Sequence, residues 1–321
     1  MRRPIFSDVE KERRIILDEM LYDYNEQGHL VRLDTLAAEF LWGENPLAQS
    51  VSGTRDTVAA ITREDLRTHY QEQYFPANMV LTIAGRVDGD KALRAVQRAF
   101  GDWNHERTER APLLPPTKLG PFRGPAIRTV SDADNQFRLL LSFPAVGYRD
   151  PEEIPMALMC GVLDGGPTTR LQRVIREELA LVYQIGAGYT SYHDVGQVDV
   201  STTVSPQRLI ELLVELLRLL RSFREEGGHS LELDAAKRRY RHALEFGHDS
   251  LDTYVDRHGW PLLFDAVRSE EEERALMEAV TAERIGSVAA ELLAPERLHL
   301  VLVGPIDEGM DQQVRDAVAE Y

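Results

Sequence analysis

Cysteine is almost absent from this chain, since Cys160 is the only one among 321 residues. A single thiol excludes an internal disulfide framework and a zinc site built from several cysteines. Cys160 lies in the apolar stretch Met-Ala-Leu-Met-Cys-Gly-Val-Leu, which indicates core packing. Long hydrophobic runs are missing too, because no stretch approaches the roughly 18 apolar residues of a membrane span.

Basic residues are outnumbered by acidic ones, and the net charge is −16. This balance argues against nucleic-acid binding, because no basic stripe is available to contact phosphates. It favours basic peptides over acidic ones as partners. The first residues contain no hydrophobic core of a signal peptide. We therefore favour a cytoplasmic chain, and a processed periplasmic or organellar chain stays open.

Two carboxylates share one face of the first predicted helix, which covers residues 7–25. Glu12 and Glu19 stand seven positions apart, with Ile15 and Ile16 between them on the same face. At 1.5 Å per residue, the two glutamates are about 10 Å apart along the helix. A carboxylate on an apolar face needs a cation or a metal as its partner, unless it lies at the wet edge of that face. Both interpretations stay open at this point.

Hydrophobic periodicity and turn residues predict an α+β chain with a Pro-rich connector at residues 111–120. The predicted domains are 1–110 and 121–321. A long helix with a leucine face should follow Pro206, and Asp164-Gly-Gly-Pro should be a loop that lets a neighbouring helix approach. Strands are predicted at residues 79–84, 126–130, 137–143, 183–192, 197–204 and 298–303.

An internal repeat relates the two predicted domains. Val280-Thr-Ala-Glu lies 219 residues after Ile61-Thr-Arg-Glu, and the same offset aligns two Pro residues, two apolar strands and two Gly residues. A constant offset over 28 positions without a gap indicates internal duplication. The second copy is about 200 residues long, so the first copy should begin roughly 100 residues before Met1. We therefore expect one complete α/β unit that follows the back part of a truncated one.

These features together resemble the pitrilysin/insulinase family of inverted-zincin metallopeptidases, which includes processing peptidases and non-catalytic relatives. The family's halves are mixed sheets packed on helices, and the resemblance covers nearly the whole chain. The matching stretches are Pro4-Ile-Phe with Glu12 to Glu19, Asn45-Pro-Leu with Gly53, Tyr74 to Gly85, Thr169-Arg-Leu, and Arg176-Glu with Tyr183.

The resemblance implies a role for each glutamate of the first helix. Glu19 matches a zinc ligand of the family's active half, and Glu12 matches a supporting carboxylate seven residues earlier. In that half, a His-x-x-Glu-His helix supplies two more ligands and a general base, and the zinc activates a water molecule for peptide hydrolysis. None of the nine histidines here forms an i, i+4 pair, and His242 and His248 are six residues apart. The chain alone is therefore expected to bind no zinc and to hydrolyse no peptide.

Arg176 and Tyr183 match a second pair that the family uses to contact substrate. Arginine supplies a fixed cation and tyrosine a hydroxyl donor, and both suit a peptide carbonyl or an oxyanion. Without the resemblance, the two residues are equally well explained as a helix-end arginine and a strand-start tyrosine.

The leading hypothesis is a zinc-metallopeptidase family protein that acts on peptides or unfolded polypeptides and is inactive alone. Its histidine motif is expected in a missing N-terminal segment or in a zinc-bearing partner subunit. The alternative is a non-catalytic structural or peptide-binding subunit, which pairs with such a homologue or with itself. An unrelated α/β binding module with a chance repeat is the third possibility.

Overall fold

The computed structural model describes residues 4–103, 109–110, 117, 122–148 and 150–321. Most of the predicted connector lies outside these residues. Backbone contacts divide the chain into two compact units. The smaller unit contains Met1–Leu21, Val51–Pro116 and Leu244–Arg268, and the larger contains Tyr22–Ser50, Thr117–Ala243 and Ser269–Tyr321. The predicted domain bounds of 1–110 and 121–321 stay a prediction.

Twelve α-helices occur in the described residues, and several begin where a side chain accepts a hydrogen bond from the first turn. None of the described helices is long and apolar enough to cross a membrane. In chain order the helices are α1 Val9–Glu19, α2 Leu33–Trp42, α3 Arg55–Ala60, α4 Arg63–Gln73, α5 Gly89–Phe100, α6 Glu153–Leu163, α7 Leu209–Glu226, α8 Ser230–Gly247, α9 Leu251–Leu263, α10 Glu270–Ala279, α11 Ala282–Leu292 and α12 Glu308–Ala319.

The larger unit is built on a mixed five-stranded sheet in the order β1-β5-β2-β4-β3. Strand β5 is an interior strand, because β1 pairs with it in parallel and β2 pairs with it antiparallel. The predicted α+β class and the five strands predicted in this unit are confirmed. The strands are β1 Ala126–Ser131, β2 Phe137–Val146, β3 Ile185–Ser191, β4 Val195–Val204 and β5 His299–Gly304.

Both faces of this sheet are covered within the larger unit. On one face, α6, α7, α11 and α12 contribute to a single large apolar core, in which Cys160 is buried as predicted. The predicted leucine face of α7 is buried throughout, at Leu209, Leu212, Leu213, Leu216, Leu217 and Leu220. On the other face, Leu36 and Ala37 of α2 pack against β2 and β5.

Two predicted elements differ from the observed ones. The first helix ends at Glu19 and continues as a short 3₁₀ helix, Met20–Asp23. The predicted buried strand at residues 79–84 is wrong, because no strand forms there and Leu81 and Ile83 are 57% and 47% exposed. A strand requires neighbours that accept and donate its backbone hydrogen bonds, and no described residue of the chain pairs with this segment.

The helices and turns of the two repeat copies correspond residue by residue, and only the strand is present in one copy and absent from the other. Helices α4 and α5 become α11 and α12 when 219 is added to their first and last residues. The intervening 3₁₀ turns, Pro76–Asn78 and Pro295–Arg297, correspond in the same way. Thr62 and Thr281 are equivalent N-caps, since each hydroxyl accepts a hydrogen bond from the third helical residue. The local sequence therefore sets the same helices in both units.

The smaller unit buries few apolar side chains. Phe75 is fully buried and Val58 is 6% exposed. Arg13 of α1 donates hydrogen bonds to the carbonyls of Val58, at 3.3 Å, and of Ile61, and so fixes α1 beside α3. Large apolar side chains that stay exposed are concentrated in this unit. Among the described residues, the larger unit exposes only Tyr22, Tyr183, Val214, Leu231 and Leu276.

Candidate functional site

Arg176 lies on an unusual turn of helix in the larger unit. Residues Gln172–Glu178 form a π-helix, in which one extra residue widens the turn. Such turns are rare and occur frequently at functional sites. Ile175 and the preceding Leu171 are fully buried and anchor the turn in the core. The side chain of Arg176 is 40% exposed, so the turn holds a cation at the surface on a fixed support.

After the π-helix, the chain reverses direction toward β3 through a segment that is held by several hydrogen bonds. The amides of Leu179 and Leu181 donate to Val174 and Ile175, each at 3.0 Å, and end the π-helix. Ala180 adopts a left-handed conformation with φ of 48°, which costs a non-glycine residue about 1–2 kcal/mol. Arg208 stabilises it by donating hydrogen bonds to the carbonyls of Leu179 and Ala180.

This reversal places Tyr183 directly beside Arg176. The guanidinium carbon of Arg176 lies 5.8 Å from the centre of the Tyr183 ring, within the range of a cation–π contact. Tyr183 is 89% exposed, whereas the two residues before it, Leu181 and Val182, are buried. The structure therefore brings the two predicted substrate-contact residues together at the surface, where Arg176 Nε also lies 3.7 Å from Glu177 Oε1.

Two polar side chains fix the edge strand that follows Tyr183. Gln172 donates from Nε2 to the carbonyl of Ile185 at 2.5 Å and to Asp164 Oδ1 at 3.2 Å. The other oxygen of Asp164 accepts from the amide of Ala187 at 3.0 Å. Asp164 belongs to the predicted Asp-Gly-Gly-Pro loop, and a Cβ atom on Gly165 would lie 2.9 Å from Arg239 Nε. The loop thus permits the predicted close approach, and it also supplies a positioning carboxylate that sequence reasoning missed.

Glu12 and Glu19 are both exposed on α1 in the smaller unit. Their apolar neighbours on the same face, Ile15 and Ile16, are also exposed, at 40% and 37%. No group of three histidine, cysteine, aspartate or glutamate side chains that could hold a metal occurs in the described part of the chain. A single carboxylate does not satisfy zinc, which takes at least three protein ligands. The described residues therefore do not fit a zinc site, and the roles of Glu12 and Glu19 stay predictions.

A buried carboxylate, Asp199, lies on the sheet of the larger unit. Ser142 Oγ donates to it at 2.5 Å and Gln197 Nε2 at 2.7 Å, and Gln197 accepts from Trp42 Nε1 at 3.1 Å. Burial raises the pKa of Asp199 above the ordinary value, although the two hydrogen bonds act in the opposite direction. The Trp42–Gln197 bond ties α2 to the sheet and the other two lie within the sheet, so we assign this group of contacts a structural function. Burial likewise raises the pKa of Cys160 to about 12, which leaves that thiol unreactive.

Solved structures with the same fold come from several organisms. A protease from Helicobacter pylori superposes with a TM-score of 0.85 at 14% identity, over 94% of this chain and 73% of that one. A peptidase M16 inactive domain from Pseudomonas fluorescens superposes with a TM-score of 0.80 at 18% identity, over 94% of this chain and 72% of that one. At these identities the likeness concerns the fold alone.

Sequence comparison gives relatives whose names refer to zinc. An uncharacterized zinc protease of Streptomyces coelicolor is 27% identical over 315 residues, or 97% of this chain and 68% of the relative. One of Mycobacterium tuberculosis is 27% identical over 97% of this chain and 71% of the relative. Residues 60–240 of the chain match the family described as the peptidase M16 inactive domain. Because this match spans more than half of the 321 residues, the chain belongs to the peptidase M16 inactive-domain family.

Proposed function

We propose that this chain is the non-catalytic, substrate-contacting component of an M16 zinc metallopeptidase. The contact between Arg176 and Tyr183 carries the proposal, because it places the cation of an anchored turn against the ring of an exposed tyrosine. The relatives named zinc proteases support the peptidase assignment. The histidine ligands would come from polypeptide that is not in this sequence, either an N-terminal segment or a partner subunit.

The paired groups suit an extended peptide. The Arg176 guanidinium carries several N–H donors, and the Tyr183 hydroxyl adds one donor. Donors on these two neighbouring side chains could together bind a peptide carbonyl and hold it in one orientation. Such donors stabilise the negative charge that develops on that oxygen during hydrolysis. The net charge of −16 would favour basic peptides over acidic ones.

Glu12 and Glu19 have a conditional role in this proposal. By family resemblance, Glu19 would be a zinc ligand and Glu12 its supporting carboxylate, once histidines from other polypeptide stand next to α1. Their exposure on α1 leaves both carboxylates accessible for such a contact. We assign no proton transfer and no hydrolytic step to the residues of this chain alone.

The test mixes the purified chain with each polypeptide of the same genome that contains His-x-x-Glu-His. Hydrolysis of a fluorogenic peptide library is measured for each component and for the mixture. We expect hydrolysis in one mixture and none by this chain alone. Arg176→Ala and Tyr183→Phe should each lower kcat/KM of that mixture roughly 100-fold, the effect of removing one oxyanion donor.

Two matched variants control this experiment. Arg173→Ala removes another exposed arginine of the same π-helix, and Tyr22→Phe removes the hydroxyl of a tyrosine that is equally exposed. Neither should change kcat/KM. An active mixture that tolerates both Arg176→Ala and Tyr183→Phe would refute the substrate-contact role. If no mixture is active but one binds peptide, the alternative of a non-catalytic structural or peptide-binding subunit is correct.

The genomic DNA upstream of Met1 separates the two sources of the histidines. An in-frame His-x-x-Glu-His motif there would assign the zinc ligands to the same polypeptide. A stop codon close to Met1, together with the motif in a neighbouring gene, would assign them to a partner subunit.

A further inference from the structure

Two side chains of the larger unit, Asp164 and Gln172, form a clasp along one edge of β3. Asp164 ends α6, and Gln172 is the first residue of the π-helix. Gln172 Nε2 donates to the carbonyl of Ile185 at 2.5 Å and to Asp164 Oδ1 at 3.2 Å. Asp164 Oδ2 accepts from the amide of Ala187 at 3.0 Å. The clasp thus uses both hydrogens of the glutamine amide and both oxygens of the carboxylate.

The clasp holds the start of β3 from the edge opposite β4. Ile185 and Ala187 are two positions apart on β3, so their backbone groups point toward the same edge. From the β4 side, Thr202 Oγ1 donates to the carbonyl of Gln184 at 2.7 Å. The backbone is therefore bound from both edges immediately after Tyr183.

The clasp and the contact between Arg176 and Tyr183 are two bridges between the same pair of elements. On the π-helix, Gln172 and Arg176 are four positions apart, or about one turn of helix, which rises about 5.4 Å. On the other side, Ile185 and Tyr183 are two positions apart, which spans at most about 7 Å. The hydrogen bond to Ile185 and the 5.8 Å contact of Arg176 with the Tyr183 ring therefore lie side by side.

The two bridges differ in strength. Tyr183 is 89% exposed and Arg176 is 40% exposed, and a cation–π contact at an exposed site is weak. The clasp is half-buried, and one of its acceptors is a carboxylate, which makes its hydrogen bonds stronger. The stronger bridge sets the distance between the π-helix and the start of β3, and so the distance between Arg176 and Tyr183.

We propose that Gln172 is the positioning residue of the Arg176–Tyr183 pair, and that Asp164 orients its amide. In this role Gln172 contacts no substrate and acts only through the two elements that it joins. Without the Asp164 carboxylate, the amide of Gln172 can turn over and direct its oxygen at the carbonyl of Ile185, which repels it. The inference rests on the proposed function for what the pair binds.

The experiment observes the Arg176–Tyr183 contact by NMR in the full chain, without a partner. A proton of Arg176 near the Tyr183 ring has a ring-current shift, which Tyr183→Leu identifies by abolishing it. Gln172→Glu keeps the shape of the side chain but replaces its donors by an acceptor, so it should remove most of this shift. Gln172→Lys supplies donors to the same two acceptors and should restore the shift. If the added charge of Gln172→Glu unfolds the chain, Gln172→Ala provides the same test.

The remaining variants test orientation and specificity. Asp164→Asn should cause a smaller loss of the Arg176 shift, because its oxygen still accepts from one of the two donors. Tyr189→Phe is the matched control, since it removes another side-chain hydrogen bond of β3, from the Tyr189 hydroxyl to the carbonyl of Val146 at 2.8 Å. It should leave the Arg176 shift unchanged. Circular dichroism checks that every variant keeps the fold.

Peptide hydrolysis by the active mixture gives a second measurement. Gln172→Glu should lower kcat at least about tenfold, because a catalytic group displaced by about 1 Å can cost up to about 100-fold. KM should change little, since donors to a developing oxyanion act mainly in the transition state. Gln172→Lys should raise kcat again, which a general loss of folded protein would not allow.

Several results would overturn the inference. They are an Arg176 shift that persists in Gln172→Glu, one that Tyr189→Phe removes equally, one that Gln172→Lys does not restore, and a native chain in which Tyr183→Leu changes no Arg176 signal.

The NMR measurement needs no peptidase activity, so it separates this inference from the proposed function. An Arg176 shift that depends on Gln172, in a mixture whose hydrolysis tolerates Arg176→Ala and Tyr183→Phe, supports the positioning role and refutes substrate contact by the pair. Hydrolysis that needs Arg176 and Tyr183 but tolerates Gln172→Glu supports the proposed function and refutes the positioning role.

Discussion

Strand β5 and the segment at residues 80–85 are equivalent in the repeat and opposite in their surroundings. Both follow a helix and a Pro-initiated 3₁₀ turn, and both lead through a glycine into another helix. One is an interior strand with a neighbour on each side, and the other has exposed leucine and isoleucine side chains and no pairing among the described residues. The helices are therefore determined by local sequence, whereas the strand is determined by what lies beside it.

The largest effect should come from one substitution made at both equivalent positions. Leu300→Ala removes a fully buried side chain from β5 and should lower the free energy of unfolding of the larger unit by about 2–5 kcal/mol. Leu81→Ala, at 57% exposure, should change stability by less than about 0.5 kcal/mol. Urea unfolding followed by circular dichroism measures both. Equal losses would show that Leu81 is buried in the free chain and would remove the contrast.

Breaking an ion pair should lower the free energy of unfolding in both units, with a smaller difference between the units than the leucine substitutions give. Arg170 donates two hydrogen bonds to Glu232, each at 2.8 Å, and the amide of His229 donates a third at 2.9 Å. Glu232→Gln should cost roughly 1.5–3 kcal/mol, the range for hydrogen bonds to a charged group. In the smaller unit, Glu64 pairs with Arg67 at the surface, and Glu64→Gln should cost less than about 0.5 kcal/mol.

The pH dependence of stability tests the same ion pair independently. Burial opposes ionisation of Glu232, but the hydrogen bonds from Arg170 and His229 outweigh it, so its pKa lies below the ordinary value. A lowered pKa in the folded state contributes stability above the ordinary carboxylate pKa, and this contribution is lost as the pH falls through the lowered value. Between pH 6 and pH 3, the native chain should therefore lose more stability than Glu232→Gln. Parallel stability curves for the two proteins would exclude this role for Glu232.

The helix N-caps should behave alike in both units and give the smallest effect. Thr281→Ala and Thr62→Ala each remove a hydroxyl that accepts from the first helical turn, which costs about 1 kcal/mol. Hydrogen exchange at the start of α11 and of α4 should accelerate by a similar factor. Thr68→Ala inside α4 is the control and should not accelerate exchange, because alanine has the higher helix propensity. A loss confined to α11 would show that α4 is not determined by its own sequence.

Much of the fold could be predicted from local patterns. The N-caps marked by Thr62 and Thr281, the leucine face of α7 and the β3–β4 hairpin all depend on residues close in sequence, and all are present. The strand at residues 79–84 was predicted from the same kind of pattern and is wrong, because its composition is that of a strand but its neighbours are missing. Composition alone does not supply hydrogen-bond partners.

The candidate site could be predicted only in part. The family resemblance, with its seven-residue spacing, implied the pair Arg176 and Tyr183, but nothing in Gln172–Glu178 distinguishes a π-helix from an α-helix. Asp164 and Asp199 could not be found, because Asp164 meets Ala187 and Asp199 meets Ser142 only after the chain has folded back over tens of residues. Such contacts have no signature in local sequence.

The uncovered segment also affects how the free chain behaves in concentrated solution. Residues 79–84 contain no charge and no proline, and such short apolar segments associate readily once they touch. The net charge of −16 repels copies of the chain from one another before that contact is made. Dissolved salt screens this repulsion beyond about 10 Å at 0.1 M ionic strength. Higher ionic strength should therefore lower the concentration up to which the free chain stays in solution.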